Sequence, residues 1–295
     1  MKKGIQLAIL TAGISGVSIF ANGIFVSRTD PLVFAFVRNV VVLVFLSIWM
    51  GISSQVSHVR ALTAKQWGML VLIGVVGGGI PFALFFRGLA EIGAVNGNII
   101  QKTLFIWVAL MAVPLLGERI HRMQSIGYAL LLAGMFYFGG GIAVVPKTGT
   151  WLVLGATVLW AVEQIIAKRT LTHVPPVIVA WGRMLFGVPM LFAAIGVLGK
   201  IGLLSQQPTY AVVPLTVSAV LLTLYMTTWY SALKTAPAVL VSSVLVSAPV
   251  VTALLTRFVL QKPFKEGQMV SLTLLVVGVL FILGEYIKRS KTKQA

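Results

Sequence analysis

Residues 93–134 read GAVNGNIIQKTLFIWVALMAVPLLGERIHRMQSIGYALLLAG: an apolar run, a charged break from Gly117 to Arg122, and a second apolar run. The stretch occurs twice. A shift of 144 positions places Leu89 on Leu233, Ala94 on Ala238, Val95 on Val239 and Leu116 on Leu260. The same shift places Gln124 on Gln268, Leu131 on Leu275, Gly134 on Gly278 and Gly140 on Gly284, without a gap. A shift of 145 extends the match upstream, from Pro31 to Pro176 and from Arg38 to Arg183. Chance similarity between apolar helices puts Leu on Leu. It does not put Gln, Pro, Arg and two Gly in register, so the chain is read as a duplication.

Composition sets the medium. The chain has 295 residues, 58% hydrophobic and 10% charged, with a mean hydropathy of +1.00. A water-facing surface needs more charge than this, so the chain is read as an integral membrane protein. The absence of cysteine excludes disulfides and thiolate metal sites. His58, His121 and His173 fall in hydrophilic breaks, so neither a metal centre nor a cofactor is expected. Lys2-Lys3 followed by Gly4 to Leu10 is similar to a secretory leader. The apolar run continues to about Val26, past the ~7–15 residues of a leader core, and is read as a retained first span.

Ten segments approach the ~20 residues needed to cross a bilayer. They are 5–26, 31–51, 66–87, 94–116, 123–144, 150–168, 175–198, 210–233, 238–260 and 267–287. In lipid the backbone must satisfy its own hydrogen bonds, and the segments are too long for barrel strands, so all are read as helices. Only 52–65 and 199–209 can hold structure between spans, which leaves no room for a soluble catalytic domain. Pro31 and Pro176 suit first helical turns. Pro81, Pro189 and Pro249 fall inside spans and should bend them. Gly77-Gly78-Gly79-Ile80-Pro81 reads either as close helix packing or as a hinge.

The net charge of +17 follows topology. With the N-terminus cytoplasmic, inner loops and ends hold thirteen Lys and Arg, from Lys2 to Lys293, and outer loops hold seven: Arg28, Arg87, Lys147, Lys200, Arg257, Lys262 and Lys265. The bias places both termini inside the cell membrane and makes nucleic acid an unneeded partner. Five spans per repeat is an odd number, so the second copy enters the membrane upside down. The expected architecture is all-α, ten transmembrane helices in two inverted five-helix repeats, residues 1–146 and 147–295. A site near the midplane between the halves follows from such a transporter plan.

Leu116-Gly117-Glu118-Arg119-Ile120, with Gln124, Gly127 and Gly134 behind it, resembles the end of the EamA repeat of the drug/metabolite transporter superfamily. Pro31 followed by Phe36-Val37-Arg38, matched by Pro176 and Arg183, resembles it as well. The resemblance covers the chain twice. It implies export or exchange of small metabolites, often amino acids or related compounds, without ATP. Two positions depart from the family pattern: Lys262 stands where the first repeat has Glu118, and Phe105 where the second has Pro249.

Ionisable groups inside spans are costly and mark function. Arg38, Lys102, Glu163 and Arg183 qualify. At ~1.5 Å per residue, Arg38 and Lys102 lie ~10–12 Å below the outer surface, and Glu163 and Arg183 ~10–12 Å above the inner one. Arg38 and Arg183 are repeat counterparts and read either as helix locks or as substrate ligands. Lys102 falls on Val246 and Glu163 on Ser18. Glu163 is read either as a salt-bridge partner of Arg183 or as a proton carrier. Asn98 and Gln101, with Asn22, Asn39 and Gln164, can orient a ligand. Trp107, Trp160 and Tyr230, with Tyr225 and Trp229, can line a pocket. Glu118 is read as a loop or cap residue. The leading function is a secondary transporter of a small carboxylate-bearing substrate, with proton coupling through Glu163. A membrane-embedded enzyme and a lipid scramblase are the alternatives. An enzyme needs paired carboxylates, a histidine–carboxylate set or a metal cluster, and a pump needs a Walker motif; the sequence offers none of these.

Overall fold

The computed structural model describes residues 2–25, 30–138, 147–205, 212–264 and 266–292. Arg28, Gly140, Lys265 and Lys293 lie outside the described residues, as do 26, 139–144 and 210–211 of the predicted spans. The described elements are α1 (Lys2–Phe25), α2 (Pro31–Ile52), the short α3 (Val56–Arg60), α4 (Ala64–Ile73), a π-helical turn (Gly74–Gly79) and α5 (Ile80–Lys102). They continue with α6 (Leu104–Leu116), α7 (Arg122–Phe138), α8 (Thr148–Thr170), α9 (Pro176–Val197), a 3₁₀ turn (Ile201–Leu204) and α10 (Val212–Thr235). The last are α11 (Ala238–Leu245), α12 (Ala248–Val259) and α13 (Gln268–Thr292). Among the described residues there is no strand, and nine helical stretches are long and apolar enough to cross a membrane. The predicted segment 123–144 is represented by α7.

The third span runs from Ala64 to Gly93, longer than the 66–87 read from hydropathy. It ends at Gly93, whose φ of +79° turns the chain inside α5. The fourth and ninth spans, read as continuous, are each broken in the middle. Both breaks have the same construction. Thr103 N and Oγ1 donate to the Ile100 carbonyl at 3.0 and 2.6 Å. Ser247 N and Oγ donate to the Val244 carbonyl at 3.1 and 2.7 Å. Thr103 and Ser247 are repeat counterparts, and so are Ile100 and Val244. Each hydroxyl tightens the turn to an i→i−3 bond and interrupts the α ladder. Pro249 follows one break and Phe105 the other, so the break does not need the proline.

The two halves touch reciprocally. On α7, a Cβ at Gly127 would lie 2.7 Å from the Gly278 carbonyl oxygen, and one at Gly134 3.0 Å from the Ser271 carbonyl oxygen. Ser271 is the counterpart of Gly127, and Gly278 of Gly134. The contacts 127–278 and 134–271 are therefore images of each other, as across a two-fold axis. They also run in opposite senses along the chain, so α7 and α13 are antiparallel. Ser271 Oγ seals the seam by donating to the Gly134 carbonyl at 2.6 Å. Elsewhere α1 packs on α10 as α8 packs on α5, and α1 packs on α12 as α8 packs on α6.

Contacts between turns sort the loops onto two faces. Gly4 meets Thr235 and Ala236, Glu118 meets Ala238, and Arg169 Nη2 donates to the Leu115 carbonyl at 2.6 Å. On the opposite face Lys200 pairs with Asp30 at 2.6 Å. Asp30 also caps α2, accepting from Leu32 N and Val33 N, with Pro31 in the first turn as expected. Burial raises the Asp30 carboxyl. The Lys200 ammonium and the two amides outweigh that and hold it below its ordinary value. Large apolar side chains such as Trp49, Ile52, Phe192, Phe258 and Leu280 stand exposed on the outside of the bundle. Such a surface suits lipid contact rather than water.

Candidate functional site

The site begins with a proline. Pro81 has no amide hydrogen to donate to the carbonyl of Gly77, four residues earlier. Trp160 Nε1 and Arg183 Nη2 both donate to that oxygen, at 3.0 and 2.9 Å. The glycines around it let α8 and α9 come close. A Cβ at Gly77 would lie 2.3 Å from Glu163 Cγ, and one at Gly78 2.7 Å from the Arg183 carbonyl oxygen. The Gly77–Pro81 stretch is thus a packing seam and also the acceptor that aims Arg183.

Arg183 Nη1 lies 3.7 Å from Glu163 Oε2. Tyr230 bridges the pair: its hydroxyl donates to Glu163 Oε1 at 2.7 Å and accepts from Arg183 Nη1 at 3.3 Å. The Glu163 side chain is 3% exposed and that of Arg183 12%. Arg183 Nε is buried without a hydrogen-bond partner. A buried charge held at such a loose distance is stabilised less than a close bidentate pair and is costly to isolate.

These groups form one end of a cavity of about 310 Å³. Of the site residues predicted from the sequence, Arg38, Gln101, Lys102, Trp160, Glu163 and Arg183 line it. Tyr230 stands behind the lining, at 0% exposure, holding Glu163. Asn98 and Trp107 are placed elsewhere. Asn98 is exposed on α5. Trp107 packs against the core and donates to Thr103 Oγ1 at 3.2 Å, which serves the break in the fourth span. Ser15, Ser18, Asn39, Gln164, Tyr225, Trp229 and Ser242 add polar edges. Phe82 and Phe85 stand edge-on to Trp160 at 5.5 and 5.3 Å, and Tyr225 stacks on Trp229 at 5.9 Å. Ser15 and Ser242 were missed, because a single serine in an apolar span carries no signal of its own.

Counterpart residues meet across this cavity. Ser15 and Trp160, Ser18 and Glu163, Ile19 and Gln164, Arg38 and Arg183, and Asn39 and Met184 are pairs at a shift of 145, and all ten line it. Gln101 with Leu245 and Lys102 with Val246, at a shift of 144, line it too. The cavity therefore straddles the axis relating the halves. Its polarity does not share that symmetry, since most pairs have one strongly polar member.

The two ends of the pathway also differ. On the face carrying the N-terminus, Glu118 Oε1 and Oε2 accept from Ala238 N at 2.6 Å and Val239 N at 3.0 Å, capping α11. Lys168 Nζ donates to the Leu233 carbonyl and, at 2.7 Å, to that of Ala236. Leu233, Ala236, Ala238, Val239 and Leu240 are all at or below 2% exposure, so the helix ends here are tightly packed. Burial pushes the Glu118 carboxyl above its ordinary value, against the pull of the two amides and Lys168. On the other face the counterpart Lys262 is exposed, and a cation cannot cap a helix N-terminus. Among the described residues no group of three His, Cys, Asp or Glu side chains could hold a metal ion.

A multi-span helical membrane protein with an amphipathic cavity lined by both of its halves has the build of a transporter. Residues 2–139 and 147–284 each match the model of the EamA-like transporter family, and the chain belongs to that family. It is 23% identical over 226 residues to an "Uncharacterized transporter" of Methanothermobacter thermautotrophicus, covering 73% of this chain. The match spans 64% of that relative's length. A solved structure described only as "Crystal structure of protein" superposes with a TM-score of 0.78 at 14% identity. It covers 95% of this chain and 96% of that one, and it bears on the fold alone.

Proposed function

We propose that the protein is a secondary transporter moving a small carboxylate-bearing metabolite across the cell membrane by alternating access. Residues 1–146 and 147–295 form two inverted five-span halves, ten spans in all, with both termini cytoplasmic. The observation that carries the reading is the cavity itself: counterpart residues of both repeats line it, and three cations share it with one carboxylate. The reciprocal α7–α13 contacts support the inverted arrangement. The packed end at Glu118 and Lys168 supports reading this conformation as the one closed to the cytoplasm. The family resemblance implies export or exchange, and export is the direction proposed. Glu163 carries the coupling proton: its contact with Arg183 favours the charged form, and loss of that contact in a buried site favours the neutral one.

Purified protein in proteoliposomes tests this. Counterflow of a carboxylate compound, faster under a pH gradient, is expected from a panel of labelled metabolites. Gradient-insensitive counterflow would remove the coupling, and leak of every solute alike would replace the carrier with a channel.

A further inference from the structure

We infer that the cavity is built to hold a small dianion, a dicarboxylate or a phosphate monoester, rather than a zwitterion such as a simple amino acid. The inference rests on the cavity being the substrate site and specifies the charge of what that site accepts, whether from carboxylates or from phosphate. The whole chain has six acidic residues, and the structure locates every one. Asp30 is bound to Lys200 and to the α2 amides. Glu118 is bound to the α11 amides. Glu91 and Glu266 are exposed, and Glu285 sits on α13 away from the cavity lining. Glu163 is therefore the one carboxylate facing Arg38, Lys102 and Arg183.

That carboxylate is already engaged by Arg183 and Tyr230. Arg38 donates through Nε and Nη2 to a single neutral atom, Asn39 Oδ1, at 3.3 and 3.2 Å. Neither Arg38 nor Lys102 has an ion pair with any of the six carboxylates. The lining thus holds two positive charges with no acidic partner, on side chains that are only partly exposed, and such charge is costly. A monoanion neutralises one of them. A zwitterion adds an ammonium whose natural partner, Glu163, is occupied. A dianion matches both charges, and electrostatic complementarity of this kind sets specificity. Trp160, Phe82 and Tyr225 supply apolar wall for a carbon skeleton, and about 310 Å³ accommodates a small metabolite.

Thermal shift and equilibrium binding on the purified, full-length protein provide the test, with succinate, glycerol 3-phosphate, butyrate and leucine as probes. At least one of the two dianions is expected to bind tenfold or more tightly than butyrate and leucine. Which of the two binds better identifies the source of the charge. Arg38→Gln and Lys102→Gln should each remove the preference, while Arg38→Lys keeps the charge and retains it. The retention in Arg38→Lys separates a charge effect from a folding defect. Equal or tighter binding of leucine, no binding of either dianion, or a dianion preference surviving in both Gln variants would overturn the inference. Transport is read separately: dianion binding without counterflow would end the alternating-access reading and leave this one standing, whereas counterflow of leucine alone would do the reverse.

Discussion

At the scale of the residue, the site turns on one carbonyl. Pro81 offers no amide hydrogen to Gly77, whose oxygen fixes Trp160 and Arg183. Arg183 holds Glu163 from the same guanidinium, so the bend in the third span and the one buried carboxylate are joined by a single side chain. Glu163→Gln keeps the shape and the Tyr230 contact and removes the charge. If Glu163 carries the proton, the variant should still bind and exchange substrate but lose acceleration by a pH gradient. A variant that keeps the wild-type gradient response would leave Glu163 as a strut. Gly77→Ala tests the packing under it. Its methyl would meet Glu163 Cγ at 2.3 Å, on a rigid helix pair, and overpacking of this kind costs roughly 1–3 kcal/mol. A lowered unfolding temperature in detergent is expected, together with weakened substrate binding; wild-type values for both would show that the seam can relax. The four intramembrane charges were legible in the sequence because charge in a span is rare and expensive. The rotation of each helix about its axis was not. That is why Asn98, one turn from Lys102, lies exposed, and why Trp107 serves a backbone break instead of the cavity.

At the scale of the element, hydropathy found the spans but not their interruptions. A window average cannot see that Thr103 and Ser247 turn their hydroxyls on the backbone, since one polar atom hardly changes the apolar total. Glu118 was legible as a cap, but the helix it caps, α11, lies in the other repeat and 120 positions along the chain. The carboxylate ties the start of the ninth span to the fourth, and Lys168 ties the end of the eighth to the sixth. Together they fasten the helix ends at one end of the bundle, the end proposed to close the pathway. Losing a cap of this type costs about 1–2 kcal/mol, enough to shift a balanced two-state equilibrium by about tenfold. In a cysteine-free chain, a lone Ser242→Cys reports on the cavity without background. Glu118→Ala should speed alkylation of that cysteine from the face bearing the N-terminus. An unchanged rate would mean that Glu118 does not latch this end. The same carboxyl predicts a pH trend. Its value in the folded protein is raised above 4.5 by burial. A raised acid adds stability below its unfolded value, and that contribution fades as pH rises through the folded one. The stability difference between wild type and Glu118→Gln should therefore be largest in acid and shrink toward neutral pH. A difference that grows with pH would contradict the burial of this group.

At the scale of the whole molecule, duplication accounts for the fold, and departures from it set the charge of the cavity. Antiparallel α7 and α13, with images of the same contact on both sides of the seam, give the halves one axis. The lining of the cavity follows that axis, yet charge does not: Lys102 faces Val246, Glu163 faces Ser18, and Lys262 stands where Glu118 would cap. A fully symmetric pair of halves would close either end with equal ease. On the alternating-access proposal, the unequal residues would bias the resting state toward one closed end, and a substrate would have to supply the difference to reverse it. Which end faces the cytoplasm decides what such a bias would do; the charge count, thirteen against seven, predicts the N-terminal face, and labelling tests it. The loop contacts agree in sorting the turns. The N-terminus, Glu118, Arg169 and Ala236 share one face, while Asp30 and Lys200 share the other. Single cysteines replace surface lysines without touching the cavity. In intact cells, cysteines at Lys147 and Lys200 should react with an impermeant maleimide, and cysteines at Lys65 and Lys234 should react only after permeabilisation. Reaction at Lys65 and Lys234 in intact cells, with protection at Lys147 and Lys200, would invert the molecule and make the packed end the outer one. Reaction at Lys65 together with Lys147 would strike deeper. No arrangement with an odd number of spans between those positions allows it, and the inverted halves would have to be abandoned.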